Sequence, residues 1–221
     1  MTASSAERAG RLLVFAKAPV PGQVKTRLIP ALGAQGAAQL HRRLVGRTLE
    51  IAIESGVGPV ELCCGSEPDH PFFLECARRY PLLLAAQGDG DLGERMQRAF
   101  ERALDACDWA ILIGSDIPAL DAEYLRRAAM HLRSGGAAVL GPAEDGGYVL
   151  IGLRRPLPGL FRGMRWGSAT VLAETRSRLD RLGCRAAELQ ALWDLDRPED
   201  LPRIEGSFEW EGAAKSDGEN R

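Results

Sequence analysis

Four groups of residues in this 221-residue chain have types and spacings that can do chemistry. The stretch 17–30, KAPVPGQVKTRLIP, gathers Lys17, Lys25 and Arg27 where three prolines and a glycine prevent a regular helix. Cations in such a loop can hold a diphosphate. Asp116, in GSDIPAL, closes an apolar run and is placed to carry a divalent ion. Asp145, in EDGGYVLIGL, precedes Gly146 and Gly147; a carboxylate there can take a hydroxyl proton while the glycines let backbone approach a ligand. Asp194 and Asp196 stand two apart in WDLDRPEDL. Asp116 together with Asp196 or Asp194 can hold Mg²⁺, which prefers oxygen ligands and often binds through one or two carboxylates plus phosphate oxygens. Only one of that pair is expected to face the site. Glu94 and Arg95 form a weaker fifth group, at a helix start rich in glycine.

Each group also has a plainer reading. The basic stretch can be a solvated loop, and Asp116 a turn former or helix cap. The Asp145–Gly146 step can be an ordinary hairpin turn. Asp91 and Glu94 fit a capping box that needs no ligand. The chemical reading gains weight because the groups recur at the ends of successive strand-like segments.

Those segments alternate with helices. Residues 11–16 (RLLVFA), 59–64, 82–86, 109–113, 137–141, 148–153 and 184–189 read as strands. The run WAILI is apolar without alternation, as for a strand buried on both faces. Helical patterns cover 32–55, 71–79, 91–107, 120–133 with Asp121 as cap, 169–182 with Ser168 as cap, and a short final turn from Pro198. Repeated strand–helix alternation predicts a largely parallel sheet with helices on both faces. Ligands of open sheets of this kind bind beyond the carboxyl ends of the strands, where Asp116 falls. The expected organisation is a disordered start (1–10), one transferase domain (11–204) and a flexible polar tail (205–221).

Composition excludes several classes. The formal charge is −2, and no basic stripe suggests a nucleic-acid partner. Five cysteines without a CxxC spacing and three scattered histidines argue for buried reduced thiols rather than a zinc or disulfide framework. No apolar run reaches membrane-spanning length. The N-terminal MTASSAERAGR lacks the apolar segment of a signal peptide, so a cytoplasmic location is expected.

The combination KAPVPGQVKTRL, GDLGERM, GSDIPAL, EDGGYVLIGL, RWGSATVL and WDLDRPEDL resembles the DUF2064 family, across roughly residues 11–204. Its members are often called rSAM/selenodomain-associated transferases. The resemblance implies a GT-A fold (the Rossmann-like α/β fold of nucleotide-diphospho-sugar transferases), a nucleotide or nucleotide-sugar substrate, and a divalent metal at Asp116. The sequence departs from the DxD motif of such enzymes, since Gly114 stands where the first Asp would be. SDIPAL and DLDRPEDL are also similar to motifs of small nucleotidyltransferases such as the molybdenum-cofactor guanylyltransferases. That likeness implies a metal pair of Asp116 and Asp196, with Lys25 and Arg27 on phosphates.

The expected activity is therefore glycosyl transfer from a nucleotide-activated sugar to a small-molecule acceptor, with Mg²⁺ or Mn²⁺. Asp116 and Asp145 are the catalytic candidates. Lys17, Lys25, Arg27, Glu94, Arg95, Gly146 and Gly147 are the substrate- and phosphate-binding candidates. Asp116 and Asp196 are the metal candidates. The alternatives are nucleotidyl transfer with pyrophosphate release, and a nucleotide-binding module without catalysis.

Overall fold

The computed structural model describes residues 10–65 and 67–204. The expectations of a disordered start and a flexible tail fall on 1–9 and 205–221, outside the described residues. Gly10, placed in that start, is instead buried beside β1, where a Cβ would overlap the Trp109 ring.

Seven strands form one sheet: β1 (Arg11–Ala16), β2 (Val60–Cys64), β3 (Leu82–Ala86), β4 (Ala110–Ile113), β5 (Ala138–Pro142), β6 (Tyr148–Leu153) and β7 (Ala186–Glu188). Their order is β3-β2-β1-β4-β6-β5-β7. β1 runs parallel to β2 and β4, β2 to β3, and β5 to β7. β6 runs antiparallel to both neighbours, β4 and β5. The chain meets the expectation of a single, mostly parallel α/β domain.

Five helices cover the two faces: α1 (Ile29–Glu54), α2 (Pro71–Arg79), α3 (Leu92–Ala106), α4 (Ala122–Arg133) and α5 (Val171–Arg181). The period-two alternation of β1 sorts its side chains. Leu12, Val14 and Ala16 pack with Val45 and Leu49 of α1, Phe73 of α2 and Leu125 of α4. Leu13 and Phe15 face Met96 and Phe100 of α3 and Leu172 of α5. All four residues of β4 are buried, as the unbroken apolar run requires.

The start of α1 and the cap of α5 differ from the sequence expectation. α1 begins earlier and is broken at Gly33, whose φ of 68° only glycine adopts freely. Ser168 does not cap α5; Thr170 holds that place, and the Ser168 and Thr170 hydroxyls bond at 2.9 Å instead. Helical hydroxyl caps need an extended backbone, and Thr170 itself sits in the helical region without a side-chain cap bond.

A third, smaller cluster joins Leu28, Ala37, Leu40 and Leu44 to Leu195 and Ile204. It pins the segment after β7, ending in a 3₁₀ turn (Pro198–Ile204), against α1. This brings the last acidic motif back beside the loop after β1.

Candidate active site

The site lies at one edge of the sheet. The carboxyl ends of β1, β4, β5 and β7 all open there, and so does the turn that starts β6. Neighbouring parallel strands place their following loops side by side, which is why distant motifs converge.

Asp116 sits two residues beyond the Gly114 that ends β4. α1 supports its loop: Thr48 Oγ1 lies 3.5 Å from the Ser115 carbonyl, and Arg47 donates to the Pro118 carbonyl at 3.4 Å. The backbone N–H of Leu195 donates to the Asp116 carbonyl at 2.9 Å, clipping the last acidic segment onto the same loop.

The Asp116 carboxylate faces two basic groups. Lys25 Nζ lies 3.0 Å from Oδ2, and His41 Nδ1 lies 3.5 Å from Oδ1. Burial alone would push this carboxyl up, but Lys25 and His41 outweigh it and hold it well below the usual carboxylate range. Lys25 is nearly fully enclosed and also donates to the Leu195 carbonyl. Its backbone is left-handed, φ 48°, the single such case outside glycine among the described residues. That strain is held by packing around the site rather than by local preference. Its side chain is thereby drawn inward while Arg27, two residues on, stays at the surface.

Arg27 pairs with Asp196 across the loop. Asp194 is pushed above the usual range by burial first, then by the charges of Asp145 and Asp196. The three carboxylates therefore share one neighbourhood, and the expectation that only one of Asp194 and Asp196 can face the site is corrected. Residues two apart on an extended chain share a face, and the fully buried Leu195 between them takes the other.

Asp145 lies in the turn between β5 and β6. Its Oδ1 accepts the Gly147 N–H at 2.8 Å, leaving its other oxygen open to a ligand. Glu144 is spent on a two-pronged pair with Arg203, at 3.0 and 3.1 Å, tying this turn to the last segment. Gly146, at φ 90°, packs so closely on the Ala169 carbonyl that a Cβ would stand 2.3 Å from its oxygen.

The structure thus brings Lys25, Arg27, Asp116, Asp194, Asp196 and Asp145 together. Glu94 and Arg95 are committed elsewhere. Glu94 completes a capping box with Asp91, both bonds at 2.9 Å. Arg95 bonds the buried Gln87 at 3.0 Å. The Lys17 side chain is exposed, while its carbonyl takes the other ring nitrogen of His41 at 3.0 Å. His41 is the residue that sequence reasoning missed. The signal was its place on α1, one helical face with the buried Leu44, Val45 and Thr48.

The residues fit a divalent cation. Oδ1 of Asp116 is buried and meets the His41 ring at 3.5 Å without a well-formed hydrogen bond, and Asp194 sits in a field of like charge that a cation would relieve. Among the described residues no three His, Cys, Asp or Glu groups form a complete ligand set. Phosphate oxygens and water would have to complete the shell, the usual situation for Mg²⁺. No helix of the described residues is long and apolar enough to cross a membrane.

Comparison with known proteins agrees with this fold. A protein from Desulfovibrio desulfuricans G20, assigned as a nucleotide-diphospho-sugar transferase, superposes with TM-score 0.79 at 36% identity, over 87% of this chain and 84% of its own. A nucleotidyl transferase from Methanothermobacter matches at TM-score 0.61 and 18% identity, over 89% and 95% of the two chains. Rv0371c from Mycobacterium tuberculosis H37Rv, solved with manganese, matches at TM-score 0.55 and 16% identity, over 90% and 98%. The last two show the shared fold alone. No curated protein matches the chain significantly. Residues 48–168 match the family described as an uncharacterized protein conserved in bacteria, DUF2064, and with that match and the Desulfovibrio relative the chain belongs to this family.

Proposed function

We propose that the protein is a divalent-metal-dependent glycosyltransferase that uses a nucleotide-activated sugar and a small-molecule acceptor. The observation that carries this is the enclosed Lys25 ammonium beside Asp116, with the 194–196 acidic segment clipped to the same loop. A cation and carboxylates side by side suit a diphosphate and its counter-ion. The Desulfovibrio relative supports the substrate class, and the manganese complex of Rv0371c supports the metal.

In this reading Lys25 and Arg27 bind the diphosphate. Arg27 exchanges Asp196 for a phosphate oxygen, which frees that carboxylate. Asp116, with Asp194 or Asp196, would hold Mg²⁺ or Mn²⁺. The bound ion would neutralise charge on the departing diphosphate. His41 fixes the Asp116 carboxylate from behind. Asp145 takes the proton of the acceptor hydroxyl. The hydroxyl oxygen bonds to the anomeric carbon as the bond from that carbon to the diphosphate oxygen breaks, and the electron pair leaves with the nucleoside diphosphate.

Calorimetric titration with nucleoside diphosphates, with and without Mn²⁺, tests the binding half. Metal-dependent binding that weakens on the order of tenfold in Lys25→Met is expected. Equal binding by the wild type and by that variant would overturn the assignment.

Nucleotidyl transfer is the second reading. It is favoured by Gly114, which occupies the position of the first carboxylate of the DxD motif. Pyrophosphate release from a nucleoside triphosphate, with the nucleotide added to an acceptor, would select it.

A further inference from the structure

A cleft with a volume of about 710 Å³ lies between α1 and α2, within the size range of small-molecule sites. Gln39, Arg42, Arg43, Gly46, Arg47 and Glu50 form its α1 side, a stripe at helical spacing. The opposite face of α1 carries His41 and Thr48 to the Asp116 loop. The cleft is therefore a different place from the candidate active site, with the helix between them. Phe72, Glu75 and Arg79 of α2, and Tyr80 just beyond it, form the other wall.

Charge sets this cleft apart. Four guanidiniums stand against two carboxylates within it, in a chain whose formal charge is −2. A concave surface focuses such a field on whatever enters. Two of the guanidiniums are also laid on rings: Arg42 lies over Phe72 at 5.0 Å and Arg79 over Tyr80 at 5.1 Å. Stacking uses the face of a guanidinium and directs its N–H edges to acceptors in its plane, the geometry that recognises phosphate. The carboxylates on those edges are weak competitors. Both the Arg42–Glu75 and the Arg79–Glu50 pairs are exposed, and exposed pairs contribute little. A ligand with several phosphoryl groups brings more charge than either carboxylate and can take its place.

Gly46 points the same way. It lies in the interior of α1, where glycine weakens a helix relative to alanine. Neither backbone nor packing demands it. It has no positive φ, and a Cβ there would meet nothing nearer than the Tyr80 hydroxyl at 3.8 Å, an ordinary contact. What a side chain at this position would take up is cleft volume. The helix thus gives up some stability and keeps open space among the guanidiniums.

We infer that this cleft is a second binding site, for a soluble anion with two or more phosphoryl groups, held by Arg42 and Arg79 and drawn in by the field of Arg43 and Arg47. It is separate from the diphosphate assigned to Lys25 and Arg27 and does not depend on it. A recessed cleft suits a soluble molecule better than the plane of a lipid surface.

Calorimetric titration of the full-length protein with inorganic triphosphate tests this. Salt at about 0.15 M screens diffuse attraction, and chelation of divalent metal removes the metal-dependent binding expected at Asp116. Saturable binding by the wild type is expected. It should weaken about tenfold in the double variant Arg42→Gln, Arg79→Gln, which removes the stacked cations, and about tenfold in Gly46→Leu, which fills the cleft without changing its charge. Gly46→Leu replaces a poor helix former with a good one, so its melting temperature should not fall. Lys25→Met should bind the triphosphate as the wild type does. No binding, or binding that survives either cleft variant, would overturn the inference. A loss in Lys25→Met as large as that in the cleft variants would place the anion at Asp116 and overturn it too. Co-sedimentation with phosphatidylglycerol vesicles that the double variant abolishes would assign the cleft to a lipid headgroup and overturn the soluble ligand.

Discussion

Asp116 is the residue at the centre of the site, and its surroundings explain why sequence alone could rank it but not describe it. The apolar run and the Gly–Pro boundary around it were legible because they are local. Its partners were not: Lys25 lies in a different loop and His41 on a helix face, and only the fold joins them. Asp116→Asn keeps the shape and removes the charge, so folding should survive while metal-dependent turnover falls on the order of a hundredfold or more, read by steady-state assay at limiting metal. The same carboxyl titrates well below the usual range in the folded protein. A depressed folded value means the ion pair contributes fully above the unfolded value near ~3.9 and is lost as pH falls below it. Urea midpoints measured between neutral pH and about pH 3 should therefore drop more for the wild type than for Asp116→Asn. Parallel curves would show that the Lys25–Asp116 pair adds nothing.

At the scale of elements, the β5–β6 turn and the strand β2 each rest on a single tight arrangement. Gly146 combines a positive φ with backbone contact to Ala169, so Gly146→Ala meets strain and overlap together. A loss of about 2 kcal/mol or more in chemical denaturation is expected, and a loss near zero would mean that the turn relaxes freely. The sequence showed the Asp–Gly turn but not this close approach, which depends on the segment before α5. On β2, Glu61 is almost wholly buried and is held by Arg102 of α3 and by Arg11. Nothing in VELCC announced that pairing, because an acid inside an apolar strand reads equally as an exposed position. Arg102→Met leaves Glu61 with Arg11 alone and should cost about 2 kcal/mol, less than the ~3–5 of a pair with no second partner. The double variant with Glu61→Gln should recover part of that loss in the same denaturation experiment. Glu94 teaches the reverse lesson: the capping-box pattern visible in the sequence is the bond network the structure contains, and it commits the side chain to α3.

For the whole molecule, strand order is what turns scattered motifs into one site. Alternating apolar segments and helices predicted the parallel α/β sheet, yet periodicity gives no strand order. That β6 enters between β4 and β5 could not be read from the pattern, and it is this insertion that sets the Asp145 turn beside Gly114, where the Asp116 loop begins. The return of Leu195 and Ile204 to α1 completes the enclosure. A nucleotide that binds across these loops should stabilise the entire fold: at a hundred times its dissociation constant, roughly 2.7 kcal/mol, visible as a raised melting temperature that chelation of the metal removes. Glycosyl transfer itself is best tested by product analysis. Purified protein would be incubated with Mg²⁺ or Mn²⁺, nucleotide sugars, nucleoside triphosphates and a pooled small-molecule extract, with products read by mass spectrometry. Release of a nucleoside diphosphate from one nucleotide sugar is expected, with a new glycoside that is absent in Asp116→Asn. Pyrophosphate from a triphosphate with a new nucleotidyl adduct, and no glycoside from any sugar donor, would contradict it.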